Sequence, residues 1–215
     1  MDDTRLAEQL RPFLGDAEPP SHLLGQLKSY LYLLLRWNAR VNLTAIRDPE
    51  QIVTRHFGES LLAARVLERN PHFCRTGTLA DVGSGAGFPG VPIKLLVPEL
   101  ELTLIESKNK KATFLRELVR ALGLAGVDVF CGRAEQWNRS ADTVTLRAIE
   151  QFERALPIAA GLVRQRGLLC LLIGEGQLET AKRVAGEDWG WSSPVVVTAS
   201  SSRIIAIAQR SSASA

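Results

Sequence analysis

The chain has 215 residues and a mass of 23.5 kDa, enough for one domain with a small extension that buries roughly 70% of its unfolded surface. With 46% hydrophobic and 23% charged residues it is neither a disordered chain nor a disulfide-stapled miniprotein. The net charge of +3 is uneven: five acids and two bases in the first 20 residues leave the remainder at +6, and 20 of the 26 basic residues are arginine, which permits a phosphate-bearing partner without demanding one.

Hydrophobic periodicity predicts a short amphipathic helix over Thr4–Leu14, stopped by the Gly15–Pro20 stretch, and a longer one over Ser21–Asn38. The asparagines of Trp37–Thr44 mark a loop. Asp48 is a predicted cap, Pro49 suits the first helical turn, and Gln51 stands where a capping box places it, so a third helix runs to about Arg69, where Asn70-Pro71 ends it. Residues 1–70 thus read as a helical extension. After Gly77 the period changes. Strands are predicted at Thr78–Val82, Leu100–Ile105, Val127–Cys131, Thr143–Leu146 and Leu168–Ile173, with helices at Lys108–Leu122, Glu150–Val163 and Leu178–Ala185. Val195–Ala199 and Ile204–Ala208 read as a hairpin turning at Ser200–Arg203. The alternation implies a parallel sheet covered on both faces, with an antiparallel strand from the hairpin, over residues 71–210. Ser211–Ala215 reads as a loose tail.

Three widely spaced cysteines (Cys74, Cys131, Cys170) without a Cys-x-x-Cys argue against a disulfide framework or a thiolate zinc site and suit a reducing cytoplasm. The three histidines are too scattered for a metal cluster, and no apolar run approaches the roughly 20 residues of a membrane span. No Gly-x-x-x-x-Gly-Lys-Ser/Thr points to a nucleotide triphosphatase, and no Gly-x-Ser-x-Gly to a serine hydrolase.

The informative stretch is Asp81-Val82-Gly83-Ser84-Gly85-Ala86-Gly87-Phe88-Pro89-Gly90, between a predicted strand and a predicted helix. Glycines there allow a sharp turn and close approach of a ligand to the backbone. Glu106 ends the next strand 23 residues after Gly83, where an acid accepts ribose hydroxyls. Glu135, in Gly132-Arg133-Ala134-Glu135, follows the third strand on the adenine side. Asp81 is placed to hold a cationic group. It would repel a pyrophosphate but not an ammonium or sulfonium, which favours S-adenosylmethionine over a nicotinamide dinucleotide. Arg147 ends the fourth strand, at the ligand crevice of an open α/β sheet; its alternatives are a ligand contact or a strand-end ion pair.

These residues resemble the glucose-inhibited division protein B family, over roughly residues 30–210. The resemblance is carried by Trp37-Asn38, Asn42-Leu43-Thr44, Arg55-His56, the Asp81–Gly90 loop with its Phe88-Pro89-Gly90 ending, Glu106-Ser107, Lys111, Phe114-Leu115, Arg133-Ala134-Glu135 and Arg147-Ala148. It implies a class I, Rossmann-like S-adenosylmethionine-dependent methyltransferase fold: a seven-stranded, mostly parallel sheet with the last strand antiparallel and an N-terminal helical extension. The implied activity is methylation of N7 of a guanosine in the 530-loop region of 16S ribosomal RNA, free or in a small-subunit precursor. The cofactor positions are Asp81, Gly83, Gly85, Gly87, Phe88, Glu106, Ala134, Glu135 and Arg147, with Arg147 positioning and no residue acting as acid or base. RNA contacts are expected at Asn42, Arg55, His56 and Lys111, with phosphate contacts along Arg36, Arg40 and the Lys108–Arg120 face. A cytoplasmic monomer without membrane contact is expected. The chain departs from the family pattern in having Glu106 for a common Asp, Glu59 in His56-Phe57-Gly58-Glu59-Ser60 for an Asp, and Ile173-Gly174-Glu175-Gly176 where a Lys-Gly is common after the fifth strand. A methyltransferase for another substrate, a nicotinamide-dependent oxidoreductase and a non-catalytic RNA-binding module are the alternatives.

Overall fold

The computed structural model describes residues 1–15, 19–148, 151–198, 200 and 202–212. Parts of the Gly15–Pro20 stop, the start of the Glu150 helix, the end of the Val195–Ala199 strand, one turn residue of Ser200–Arg203 and most of the tail therefore lie outside the described residues.

The extension begins with helices α1 (Asp3–Leu14) and α2 (Ser21–Asn38). Asp2 caps α1 by accepting the Arg5 N–H at 2.8 Å, and Gly15 ends it at φ +83°, a conformation that costs glycine little. In α2 the buried residues Leu23, Leu27, Tyr30 and Leu34 recur at helical spacing. Asn38 then knits the following loop. Its Oδ1 accepts the Leu43 and Thr44 N–H groups, and its Nδ2 donates to the Thr44 carbonyl.

The predicted third helix is three pieces. Asp48 caps α3 (Pro49–Ile52) by accepting the Gln51 N–H at 3.3 Å. A π-helical turn, Val53–Gly58, follows, and α4 (Glu59–Glu68) completes the segment. The wide turn lies where α1 presses on the chain: a Cβ on Gly58 would stand 2.5 Å from the Phe13 ring. Apolar spacing does not register the one-residue change in hydrogen bonding, and such turns gather at functional sites.

The sheet has strands β1 (Thr78–Val82), β2 (Glu101–Glu106), β3 (Val127–Cys131), β4 (Ala141–Arg147), β5 (Val163–Gly174), β6 (Trp189–Trp191), β7 (Val195–Val196) and β8 (Arg203–Arg210). Their order is β3-β2-β1-β4-β5-β8-β6, with β7 also on β8. The first five are parallel, and β8 runs antiparallel to β5. The first arm of the predicted hairpin is shorter than its apolar run and the second longer, and β6 is an addition to the predicted strands. Strands β6 and β7 pair with opposite ends of the same β8 edge, so together they fill the seventh position. The tryptophans of β6 gave no clear alternation over three residues.

Period-two alternation divides β5 between two cores. Leu168, Cys170 and Leu172 face the side covered by α1–α4, α5 (Gly90–Leu96) and α6 (Asn109–Ala121). Leu169, Leu171 and Ile173 face α7 (Phe152–Gly161) and α8 (Leu178–Ala185). The first core runs unbroken from Leu6 to Ile207, so the helical extension and the sheet share one hydrophobic interior. Among the described residues no helix is long and apolar enough to cross a membrane.

Candidate functional site

Strand β1 pairs with β2 on one side and β4 on the other, which makes the carboxyl ends of β1 and β4 the topological switch point where open α/β sheets bind ligands. The glycine loop leaves β1 there. Gly83, Gly85 and Gly87 have φ of +70°, +56° and +93°, so side chains at these positions are strained. At Gly87 space is also short, since a Cβ would lie 2.6 Å from the Tyr30 hydroxyl. That hydroxyl donates to the Ala86 carbonyl at 2.5 Å: helix α2 of the extension buttresses the loop from behind.

Asp81 has no exposed surface. Its Oδ1 accepts the Thr145 hydroxyl at 2.7 Å, and its Oδ2 accepts the Gly90 N–H at 3.2 Å. Burial pushes its carboxyl up to about 6, against the pull of those hydrogen bonds. From sequence, Asp81 is expected to contact a cation directly. Its carboxylate is instead spent beneath the loop, tying the start of α5 to β1 and β4. Glu106 is also buried; it accepts the Gly85 N–H (3.0 Å) and the Lys108 N–H (2.7 Å), one on each oxygen. Each oxygen retains acceptor capacity. Ala134 and Glu135 occupy a single 3₁₀ turn after β3, with Glu135 exposed.

A cavity of about 710 Å³ opens beside the loop. Of the residues singled out from sequence, Asn42, Arg55, His56, Gly83, Gly85, Phe88, Lys111 and Arg147 line it. Asp81 lies under the loop and Gly87 on its inner side against Tyr30, and Glu106, Ala134 and Glu135 lie toward β2 and β3, all outside the cavity wall. Phe88 joins the two halves of the molecule. Its ring stacks on Tyr30 (centroids 5.2 Å apart) and on His56 (4.7 Å), with the Arg147 guanidinium 5.8 Å from its centre. His56 is carried by the π-helical turn. Its Nε2 meets the Thr44 hydroxyl at 2.8 Å, while its Nδ1 is buried with no hydrogen-bond partner among the described residues. Burial, reinforced by Arg147, Arg55 and Arg203, drops its pKa to about 3, so the imidazole is neutral at physiological pH.

Arg147 forms the strand-end ion pair that was one of its two alternatives, and it does so at the cavity wall. It lines the cavity, and its Nη2 donates to the Arg55 carbonyl (2.5 Å) and to Glu59 Oε2 (3.0 Å). The other oxygen of Glu59 accepts Arg203 Nη2 at 2.5 Å. The Glu59 side chain is only 4% exposed; burial raises its pKa while the neighbouring arginines pull it back. Glu59 and Arg203 were not among the predicted site residues. For Glu59 the signal was its place in the Arg55–Ser60 motif. For Arg203 there was none, because its role depends on strand direction: β8 is antiparallel, so its first residue lies at the carboxyl ends of the parallel strands. Gly174 and Gln177, at the departure from the Lys-Gly pattern, also line the cavity. Among the described residues no group of three or more His, Cys, Asp or Glu side chains is placed to hold a metal ion.

Solved structures with this fold include a predicted O-methyltransferase from Agrobacterium tumefaciens (TM-score 0.60, 19% identity, covering 72% of this chain and 81% of that one). TrmN from Thermus thermophilus is another (TM-score 0.56, 16% identity, 74% and 53%). At those identities the likeness concerns the fold alone. Among sequences, the "Ribosomal RNA small subunit methyltransferase G" of an Exiguobacterium species is 44% identical over 146 residues, covering 63% of this chain and 60% of that protein. The protein of the same name from Xylella fastidiosa is 42% identical over 150 residues, covering 69% and 68%. The match to the first thus spans less than two thirds of its length. The family described as "GidB: rRNA small subunit methyltransferase G" matches residues 23–196, from the first turn of α2 to the end of β7. With the glycine loop, Phe88, Glu106 and Arg147 all inside that span, the chain belongs to the GidB family.

Proposed function

We propose that this chain transfers a methyl group from S-adenosylmethionine to N7 of a guanosine in 16S ribosomal RNA. The observation that carries the reading is the left-handed glycine loop at the β1/β4 switch point, opening onto a cavity walled by Arg147 and by the extension. The donor set suits the cofactor: Glu106 retains acceptor capacity for ribose hydroxyls beside the loop, Gly83 is exposed in a left-handed turn that keeps the backbone bare, and the Asp81 charge beneath favours a cationic ligand over a pyrophosphate. Ala134 and Glu135 would flank the adenine, and Phe88 and Arg147 the reacting end. Family membership and the named relatives support the RNA substrate.

When bound, S-adenosylmethionine supplies an electrophilic methyl group. The chain's own residues supply placement. Guanine N7 carries an in-plane lone pair and no proton, so its attack needs no general base. The neutral, stacked His56 suits that chemistry, because it presents an uncharged wall rather than another cation. Arg147, fixed by Glu59 and the Arg55 carbonyl, holds the base in line, and the Phe88 stack excludes water from the reacting end. Asn42, Arg55 and Lys111, at the rim, contact the RNA, with phosphates engaged along the Arg36, Arg40 and Lys108–Arg120 surface. The reading extends to action as a monomer on free 16S RNA or a small-subunit precursor. The test is mass mapping of N7-methylguanosine in 16S RNA from cells with and without the protein, alongside transfer of labelled methyl to purified RNA. Loss of one modified guanosine is expected. An unchanged RNA, together with saturable NADH binding, would overturn the reading.

A further inference from the structure

The cavity wall carries a group of buried charges for which placement of the methyl acceptor needs only one member. Glu59 bonds Arg147 through one carboxylate oxygen and Arg203 through the other. Arg147 alone suffices to neutralise Glu59. A second arginine on the same carboxylate adds desolvation cost, and buried charge triads are commonly replaceable by apolar side chains without loss of stability. Stability is therefore a weak reason for Arg203. Its side chain is 25% exposed, it lines the cavity, and among the described residues its guanidinium is bonded through Nη2 to Glu59 and through Nε to Ser200 Oγ, with no partner for Nη1.

The charges sum simply. Two guanidiniums around one carboxylate leave the triad with one positive charge in excess, borne on the open side by Arg203, and Arg55 adds to the positive field at the same wall, which suits the negative charge of a phosphodiester. The carboxylate fixes the guanidinium in advance, so little side-chain freedom is lost when an anion docks. Position decides which anion. Arg203 begins β8, three strands from β1 in the sheet order β1-β4-β5-β8, or about 14 Å at the usual strand spacing. Glu106 lies on β2, on the opposite side of β1. The Arg203 backbone thus lies on the side of the glycine loop away from the cofactor's ribose, and its guanidinium reaches back across the wall to Glu59, beside Arg147.

We propose that Arg203 is an RNA-binding residue that grips one backbone phosphate next to the target guanosine, and that Glu59 is the residue positioning it. The inference rests on the methyl-transfer reading above. It extends the RNA surface to a strand beyond the 23–196 span of the family match.

The test is Arg203→Gln in the full chain, with Arg203→Lys beside it. The expected result for Gln is a roughly tenfold higher KM for 16S RNA, with kcat, S-adenosylmethionine affinity and unfolding midpoint held. The slope of log affinity for RNA against log salt should shrink by about 0.7–0.9, the value of one lost phosphate contact. Lys should restore the slope but only part of the affinity. An unchanged KM and slope would overturn the phosphate seat and leave a structural triad. Weaker S-adenosylmethionine affinity at unchanged RNA affinity would reassign the arginine to the cofactor and overturn it equally. A scan of single methylphosphonate substitutions around the target guanosine in a short RNA keeps the test independent of how the variant folds. One position should weaken binding to the wild type and not to Arg203→Gln; no sensitive position would sink the proposal. Failure of the wild-type protein to methylate RNA is a separate outcome: it removes the methyl-transfer reading, while the salt slopes still report on the seat.

Discussion

The two ends of the crevice are built on different physics. At the β2/β3 end, Glu106 is held by backbone N–H groups of Gly85 and Lys108, one of them two residues away and the other on the adjoining loop. At the β4/β8 end, Arg147 and Arg203 are held by a carboxylate from the helical extension, 88 residues from Arg147. The first end is fixed by the sheet itself. The second exists only once the extension has docked, so binding at one end should be separable by mutation from placement at the other.

The sharpest break is Arg147→Ala. It removes the side chain that joins the loop, the extension and the cavity, and methyl transfer should fall by at least about 100-fold, the order expected when a reacting group is displaced by about an ångström. Circular dichroism should be unchanged, and normal turnover would remove Arg147 from the mechanism. Glu106→Ala addresses the other end. Charge-assisted hydrogen bonds are worth about 1.5–3 kcal/mol each, so S-adenosylmethionine affinity should weaken roughly tenfold to a hundredfold. RNA affinity in the absence of cofactor should hold; parallel losses of both would show that the two ends are not separable.

Tyr30→Phe probes the buttress between extension and loop. It leaves the buried Ala86 carbonyl without its donor, at a cost of about 1–3 kcal/mol, read as a lower unfolding midpoint. An unchanged midpoint would mean that another group satisfies the carbonyl.

The smallest effect is in the pH dependence of stability, where two buried groups of the site, His56 and Asp81, work against each other. His56 is held neutral in the fold, with a pKa near 3 rather than 6.5, so the unfolded chain takes up its proton first; its contribution is present above pH 6.5 and is lost as pH falls toward 3. Asp81 is shifted up, from 3.8 to about 6, so the folded chain protonates first; its contribution is present below pH 3.8 and is lost as pH rises through 6. Between pH 6.5 and 4, the decline of the unfolding midpoint on acidification should become shallower in His56→Asn and steeper in Asp81→Asn. Equal slopes in all three proteins would mean that neither group is desolvated in solution.

Much of this molecule was legible before folding. The change from helical to alternating period near Gly77, the caps at Asp48 and Gly15, and the glycine loop with Glu106 are signals carried within a few residues, because turns, caps and strand alternation are local physics. The π-helical turn and β6 escaped because a one-residue change in hydrogen bonding and a three-residue strand leave almost no periodic trace. Asp81 was read as a ligand contact because sequence shows a residue's place in a motif and not its depth. Only the tertiary structure put that carboxylate under the loop, brought Glu59 to Arg147, and turned β8 so that its first residue, Arg203, reached the crevice. Those decisions belong to long-range packing: burial, strand direction and the docking of a helical segment on a sheet are properties of the whole chain at once, and no short stretch of residues encodes them alone.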